Sequence, residues 1–350
     1  MTSISNAYPT IQQIPDYNTA LQDVALLLCD EAERYVLTTH VNSDGDAIGS
    51  QLALYHVLHR LGKQVLMINP SPVPENMMFL RDADRIRVVD EARDAAEIRA
   101  ADRIVVLDVN SPRRLPGLEA HIIAASAHKI VIDHHLDPTD FADDYLVNTD
   151  AVATSEILCD LFAIMNVALE EPEASALYTA IMTDSGNFRF PRVDADLHRS
   201  IAGLIEAGAS PFNIYEQVYN QGSLERTQLL GRALAGIELY HAGRVGVMRV
   251  TAAMNGGICP DGSMTEGFVN EILALRGVVI GALITEREGE VKLSIRSKGR
   301  RPINELAAMF DGGGHMNAAG GHVIGGVIDE VAADFVERSA AYVHERAAAD

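Results

Sequence analysis

Three short, almost wholly apolar runs, YVLTTH at 35–40, RIVVLD at 103–108 and KIVID at 129–133, each stop at a histidine or an aspartate. An apolar run without polar alternation suits a strand buried on both faces, and such strands belong to parallel sheets covered by helices on both sides. Ligands of open sheets of this kind bind at the carboxyl ends of the strands. The polar residues that close the runs are therefore expected to meet in one crevice: His40 with Asp44 and Asp46, then Asp108, then Asp133 with His134 and His135.

The segment HVNSDGDAIGS at 40–50 sets His40, Asp44 and Asp46 on one short turn. Gly45 is expected to let the backbone bend sharply, so that the two aspartates point at different ions. Histidine and aspartate without cysteine favour manganese or magnesium over structural zinc, and an imidazole ligand tips the choice to manganese. Two ions roughly 3.5–4 Å apart can acidify and orient a water for in-line attack on phosphorus and neutralise the phosphoryl oxygens. Any one of these side chains could be an ordinary cap or turn residue. Their joint placement after successive apolar elements points to a metal centre for phosphoric ester hydrolysis.

Helices are expected at 19–30 and at 47–61, where Leu54, Val57, Leu58 and Leu61 are spaced helically before Gly62, with a strand at 64–69. Further helices are expected at 154–166 and 172–184, the second running into TDSGNFRF at 183–190. A helical stretch over 195–240 is broken by Gly208, Pro211 and Gly222. Beyond it, strands at 244–250, 277–286 and 291–297 alternate with helices at 263–275, 303–310 and 328–347. The fold class is thus α/β: an N-terminal doubly wound, mainly parallel sheet and a smaller C-terminal α+β domain, with a cleft between them. The expected boundaries are a tail at 1–18, a catalytic domain at 19–200, a helical linker at 201–240 and a substrate-binding domain at 241–350.

A chain of 350 residues suits two domains better than one, and 5% aromatics with no tryptophan suits an aliphatic α/β core. The net charge of −21 disfavours extended contact with long nucleic acid but leaves small anions open. REGEVKLSIRSKGRR at 287–301 runs against the trend, with six of the 28 basic residues, and Arg296 lies inside its strand. Cys29, Cys159 and Cys259 are widely spread and read as buried thiols. With no basic, apolar leader and no membrane-length apolar run, the expected location is cytoplasmic.

HVNSDGDAIGS, LDVNSPRRL at 107–115, IDHH at 132–135 and YTAIMTDSGNFRF at 178–190 occur in this order and resemble the four motifs of the DHH phosphoesterases. That family includes RecJ exonucleases, family II pyrophosphatases, cyclic-dinucleotide phosphodiesterases and nanoRNase/pAp phosphatases. The resemblance covers most of the chain. It implies that His40, Asp44 and Asp108 hold one ion and that Asp46, Asp108, His134 and Asp184 hold the other, with Asp108 shared. It also implies that His135 faces the substrate phosphate as donor or acid and that Asp133 orients the histidine pair.

The C-terminal part resembles the DHH-associated domain through GGGHMNAAGG at 312–321 and the strand residues Arg296 and Ser297. Gly312, Gly313 and Gly314 are expected to bring a phosphate or ribose close to the backbone, as an anion nest of successive amides, and His315 to contact a phosphate. Arg189, with Phe188 beside it, is a candidate for phosphate pairing and base stacking.

Within the family, the glycine-histidine motif fits the nucleotide-handling branch, and the Ser-Arg-Lys signature of a family II pyrophosphatase is missing. The chain has no room for the added domain of RecJ-type enzymes, nor for the membrane and sensory segments of some cyclic-dinucleotide phosphodiesterases. The expectation is a two-ion phosphoesterase, with Mn2+ preferred and Mg2+ second. It would cut very short oligoribonucleotides to nucleoside monophosphates or remove the 3′-phosphate of 3′-phosphoadenosine 5′-phosphate (pAp). Cyclic di-AMP or pApA hydrolysis is the alternative, and a non-catalytic nucleotide-binding regulator a further one. Expected partners are short oligoribonucleotides, pAp or dinucleotides, not long nucleic acid or membrane; a homodimer is left open.

Overall fold

The three apolar runs lie side by side in one sheet. The computed structural model describes residues 9–11, 15–136, 138–260 and 262–344, and the chain separates into two units, Met1–Gln221 and Gly222–Asp350. The first unit runs α1 (Tyr17–Cys29), β1 (Arg34–Thr38), α2 (Gly45–Arg60), β2 (Gln64–Asn69), β3 (Arg87–Val88), α3 (Glu91–Arg99), β4 (Arg103–Leu107) and α4 (Glu119–Ala124). It continues through β5 (His128–Asp133), β6 (Asp144–Val147), α5 (Thr154–Ile164), α6 (Glu171–Asp184), α7 (Ala195–Glu206) and α8 (Pro211–Tyr219).

The strand order is β3-β2-β1-β4-β5-β6, and all the pairings are parallel. The chain leaves β1 through α2 towards β2 and β3, then returns to set β4 on the other side of β1. Such a reversal opens a crevice at the carboxyl ends of the two central strands. Alternate residues serve opposite faces. Leu37, Val105, Ile130 and Ile132 pack with α1, α2, α5 and α6, while Val36, Ile104, Val106 and Val131 pack with Ile98 and Ile122 of α3 and α4.

Helix α2 is buried almost all round from Gly45 to Leu58, as befits a helix pressed between a sheet and other helices. Burial of side chains such as Leu52, Leu54 and Leu58 contributes about 1.5–3 kcal/mol each. Against α6 the helix has no room for side chains: a Cβ on Gly45 would fall into Thr183, and one on Gly49 onto the Ala176 carbonyl oxygen and 2.8 Å from the Ala180 Cβ. These contacts run the two helices antiparallel and bring the end of α6 to the start of α2.

In the second unit come α9 (Leu224–Ala235), β7 (Glu238–Tyr240), β8 (Val245–Val250), α10 (Gly262–Thr265), α11 (Phe268–Leu273), β9 (Ile280–Arg287) and β10 (Glu290–Ser297). They are followed by α12 (Ile303–Ala308), β11 (Gly313–His315), β12 (Ala318–Ile324) and α13 (Ile328–Ser339). Its sheet has the order β11-β12-β10-β9-β8-β7, with β8 and β9 parallel and the other pairs antiparallel. Phe310 of the α12–β11 connection and Phe335 of α13 fill one core cluster, and Leu229 of α9 and Ile272 of α11 another.

Several expectations change here. The stretch 201–240 is not a free-standing linker: Leu204, Ile214 and Val218 of α7 and α8 join the core of the first unit, Leu229 and Ala233 join the second, and residues 238–240 pair as β7. The helix expected at 263–275 breaks at Gly267, whose φ of 78° is left-handed. Helix α13 ends at Ser339, and residues 345–347 of the expected helix lie outside the described residues, as do 1–8 and 12–14 of the tail. Helix α1 starts earlier than expected, at Tyr17, because the Asp16 side chain accepts from the Thr19 amide at 3.1 Å. Cys29 is exposed at the end of α1 and Cys159 and Cys259 are half-buried, so the buried-thiol reading is not met. Among the described residues, no helix is long and apolar enough to cross a membrane.

Candidate metal centre

After β1 the chain turns through Asn42, whose φ of 55° is left-handed, and not through Gly45, which already belongs to the first turn of α2. The need for glycine at position 45 is the close approach of Thr183, not a bend. Asp44 caps α2, accepting from the amides of Asp46 and Ala47, both at 3.1 Å. The buried His40 has its Nδ1 2.9 Å from the Val41 carbonyl oxygen. A carbonyl can only accept, so the neutral ring carries its proton on Nδ1 and keeps a lone pair on Nε2. That Nε2 lies 3.2 Å from Asp108 Oδ2 and 3.9 Å from Asp44 Oδ1, yet it is buried with no hydrogen bond among the described residues.

Asp108 follows β4 in a left-handed conformation, φ 59°, uncommon for a residue with a side chain. Its amide still donates to the Ile132 carbonyl at 2.9 Å. Asp108 Oδ1 stands 3.5 Å from His134 Nε2 and 3.4 Å from His135 Nδ1, so one carboxylate lies between His40 and the histidine pair. His134 Nε2 is also 3.5 Å from Asp184 Oδ2 and 4.0 Å from Asp46 Oδ2, with Nδ1 3.3 Å from the Ala151 carbonyl oxygen. Three overlapping groups result: His40, Asp44 and Asp108; Asp46, His134 and Asp184; Asp108, His134 and His135. In each, the candidate ligand atoms lie within 4.8 Å of one another.

The electrostatics follow from crowding. Burial, then the charges of Asp46, Asp44, Asp133 and Asp184, hold the Asp108 carboxyl well above the usual range. Burial and the same Asp46 and Asp44 charges push Asp184 up to about 8. Burial, helped by Arg114, lowers the pKa of His40 and keeps the ring neutral. Carboxylates that retain protons because they are buried among negative neighbours would release them to a divalent cation. His135 is oriented by a further carboxylate: its Nδ1 is 2.8 Å from Asp133 Oδ1, while the buried Asp133 Oδ2 has no hydrogen-bond partner among the described residues.

The remaining candidates are distributed differently. Phe188 packs edge-on to Tyr178, with ring centroids 5.8 Å apart, and is half-buried, so it belongs to the core more than to a stacking surface. Arg189 is exposed and its Nε donates to the Gly186 carbonyl at 2.6 Å. In the second unit, the half-buried Arg296 donates to the Ile295 carbonyl at 3.0 Å and forms no ion pair among the described residues. Ser297 is committed to the fold, donating to the Arg301 carbonyl at 3.2 Å and accepting from Asn317 Nδ2 at 2.9 Å. Arg301 is buried, with its Nε 3.1 Å from the Val343 carbonyl oxygen, and so does not add to the basic surface of this segment.

The glycine-histidine segment is a hairpin edge and not a nest. Gly313, Gly314 and His315 pair with Gly320, Ala319 and Ala318, and an edge strand offers alternate amides outward instead of successive ones. The Gly312 amide donates to the Ala307 carbonyl at 3.1 Å. A Cβ on Gly312 would strike Gly320, and Gly314 has a φ of 137°, so both glycines are required by the hairpin. Gly313 alone of the three faces open space. His315 and Arg296 share Ala318 as register partner; the His315 side chain lies outside what the structure describes.

Sequence reasoning missed Thr154 and Ser155 at the start of α5. Their amides and hydroxyls hold Asp46 and Asp108. The only signal was two small hydroxyl residues opening an apolar helix, which reads as an ordinary cap. Arg192 was also missed; its Nη1 is 3.2 Å from the Ala151 carbonyl oxygen that His134 uses.

The chain matches known proteins along most of its length. The DHH family, N-terminal domain, matches residues 34–181, and the DHHA1 domain matches residues 251–345. The chain is 30% identical over 320 residues to the bifunctional oligoribonuclease and PAP phosphatase NrnA of Thermus thermophilus, covering 90% of this chain and 92% of that one. It is 25% identical to the protein of the same name from Bacillus subtilis, covering 82% and 88%. The crystal structure of an exopolyphosphatase-related protein from Bacteroides fragilis superposes with a TM-score of 0.88 at 32% identity, covering 93% of this chain and 97% of that one.

Proposed function

The chain belongs to the DHH family, and from that premise we propose that it is a metal-dependent phosphoesterase that cuts very short oligoribonucleotides to nucleoside monophosphates and dephosphorylates pAp. The observation that carries this reading is the convergence of three overlapping His/Asp groups at the ends of β1, β4, β5 and α6. A nucleotide-binding regulator has no need of them. The two relatives named for both activities support the choice of substrate.

The residues fit divalent ions. The donors are imidazoles and carboxylates without a thiolate, one imidazole nitrogen is buried with no hydrogen bond among the described residues, and burial among like charges makes the Asp108 carboxyl retain its proton. His40, Asp44 and Asp108 would hold one ion and Asp46, Asp108, His134 and Asp184 the other, with Mn2+ preferred to Mg2+. When bound, such ions supply Lewis acidity towards phosphoryl oxygens and lower the pKa of water.

The chain's own residues do the rest. The Val41 and Ala151 carbonyls engage Nδ1 of His40 and His134, which leaves each Nε2 as the donor atom. Asp133 holds His135 through Nδ1, and His135 would give a proton to the departing oxygen. In the second unit, Arg296, which has no carboxylate partner among the described residues, would bind substrate, and Gly313 and His315 are the further candidates there. Ser297, Gly312 and Gly314 would serve it indirectly, by shaping that sheet edge. The net charge of −21 opposes long nucleic acid, and a cytoplasmic location goes with short RNA substrates.

Product analysis in Mn2+ on an RNA trinucleotide, a long RNA, pAp and cyclic di-AMP tests the reading. Fast conversion of the trinucleotide and pAp with the long RNA spared supports it. Turnover of cyclic di-AMP alone would replace the substrate assignment by a second-messenger phosphodiesterase.

A further inference from the structure

Thr154 ties together two carboxylates from distant parts of the chain. Its amide donates to Asp46 Oδ2 at 2.7 Å, and its hydroxyl donates to Asp108 Oδ1 at 3.2 Å. Ser155 donates its amide at 3.1 Å and its hydroxyl at 2.8 Å to Asp46 Oδ1, which also accepts from Ser50 Oγ at 3.2 Å. Ser50, Thr154 and Ser155 are fully buried. The donors crowd onto Oδ1, whose lone pairs are thereby filled, and leave Oδ2 with capacity to spare. It is Oδ2 that faces His134 Nε2, at 4.0 Å.

An ordinary helix start needs an acceptor within its own first turn. The acceptors here sit on α2 and after β4, 108 and 46 residues away in sequence. We propose that Thr154 is a positioning residue for the metal centre. Through one amide and one hydroxyl it sets the separation of Asp46 and Asp108, and with Ser155 it restricts Asp46 to ligation through Oδ2. This rests on the metal-dependent reading above and extends it to residues outside the ligand set.

The test is calorimetric titration of metal-free full-length protein with Mn2+, comparing wild type, Thr154→Val, Thr154→Ser and Ser155→Ala. Valine keeps the shape and the amide but removes the hydroxyl; serine keeps the hydroxyl. Thr154→Val is expected to lose about 10–100-fold in Mn2+ affinity, and Thr154→Ser to stay within about threefold of wild type. The metal-free melting temperatures of the two are expected to match, so that lost affinity is not lost folding. Ser155→Ala unloads Asp46 without touching Asp108 and is expected to cost less affinity than Thr154→Val. Wild-type affinity in Thr154→Val, equal losses in the valine and serine variants, or a larger loss in Ser155→Ala overturns the proposal. A wild-type protein that takes up neither Mn2+ nor Mg2+ overturns the metal-dependent reading itself.

Discussion

Replacing Asp108 by asparagine removes an ionisable carboxyl from the centre and keeps an oxygen that can accept from Thr154. In the metal-free protein the change is expected to stabilise the fold. Asp108 is 2% exposed, and burial with four neighbouring carboxylates raises its pKa well above the ordinary value. A raised native pKa means that the folded state holds a proton that the unfolded chain has released. The metal-free wild type therefore loses stability as pH rises above the unfolded carboxylate value of about 4. Asp184, pushed up to about 8, extends this loss towards pH 8. The ligand oxygens of Asp108 and Asp44 lie within 4.8 Å, a distance at which two carboxylates repel by about 3 kcal/mol at an effective dielectric of ~20. Protonation relieves part of this, leaving a gain of about 1–3 kcal/mol for Asp108→Asn, or roughly 2–12 °C for a unit of this size. Thermal melts in EDTA at pH 5 and pH 8, then with Mn2+, measure it. The variant should melt higher at pH 8, the gap should narrow at pH 5, and Mn2+ should reverse the order because it stabilises the wild type more. A metal-free variant that melts below wild type at pH 8 would refute the crowding argument.

Arg296→Ala is expected to raise KM for a trinucleotide with little change in kcat, since it removes binding remote from the reacting atoms; an unchanged KM in steady-state assays would return Arg296 to a structural role. His135→Gln is expected to lower kcat by about 10²–10⁴-fold while Mn2+ affinity stays near wild type. Equal loss of both would make His135 a ligand and not an acid. Gly49→Ala pushes a Cβ onto the Ala176 carbonyl and should cost about 1–3 kcal/mol in denaturant unfolding. Its Mn2+ affinity should fall too, because α6 carries Asp184. Gly203→Ala, in open space on α7, should be neutral or slightly stabilising, and the argument fails if the two variants behave alike.

The crevice was legible because its physics is local. RIVVLD and KIVID had to be buried strands, and an aspartate at the end of each had to sit at the rim of the sheet. The same locality explains what was missed. Gly45 and Gly49 look like turn or spacer residues until α6, remote in sequence, is seen against them. Thr154 and Ser155 look like helix caps, since nothing nearby in sequence reveals that their acceptors are Asp46 and Asp108. GGGHMNAAGG has the composition of a loop, yet it forms β11 and part of β12 because only glycine fits where Gly312 meets Gly320. The helical run over 201–240 hid a division between units, because α8 and α9 are both amphipathic and only their packing assigns them to different cores.

The most direct test titrates metal-free protein with Mn2+ while following both bound ion and conversion of an RNA trinucleotide to mononucleotides. The account requires no turnover in EDTA and turnover that rises as two ions bind per chain. Full turnover in excess EDTA, or two bound ions with no hydrolysis of the trinucleotide or pAp, would contradict it.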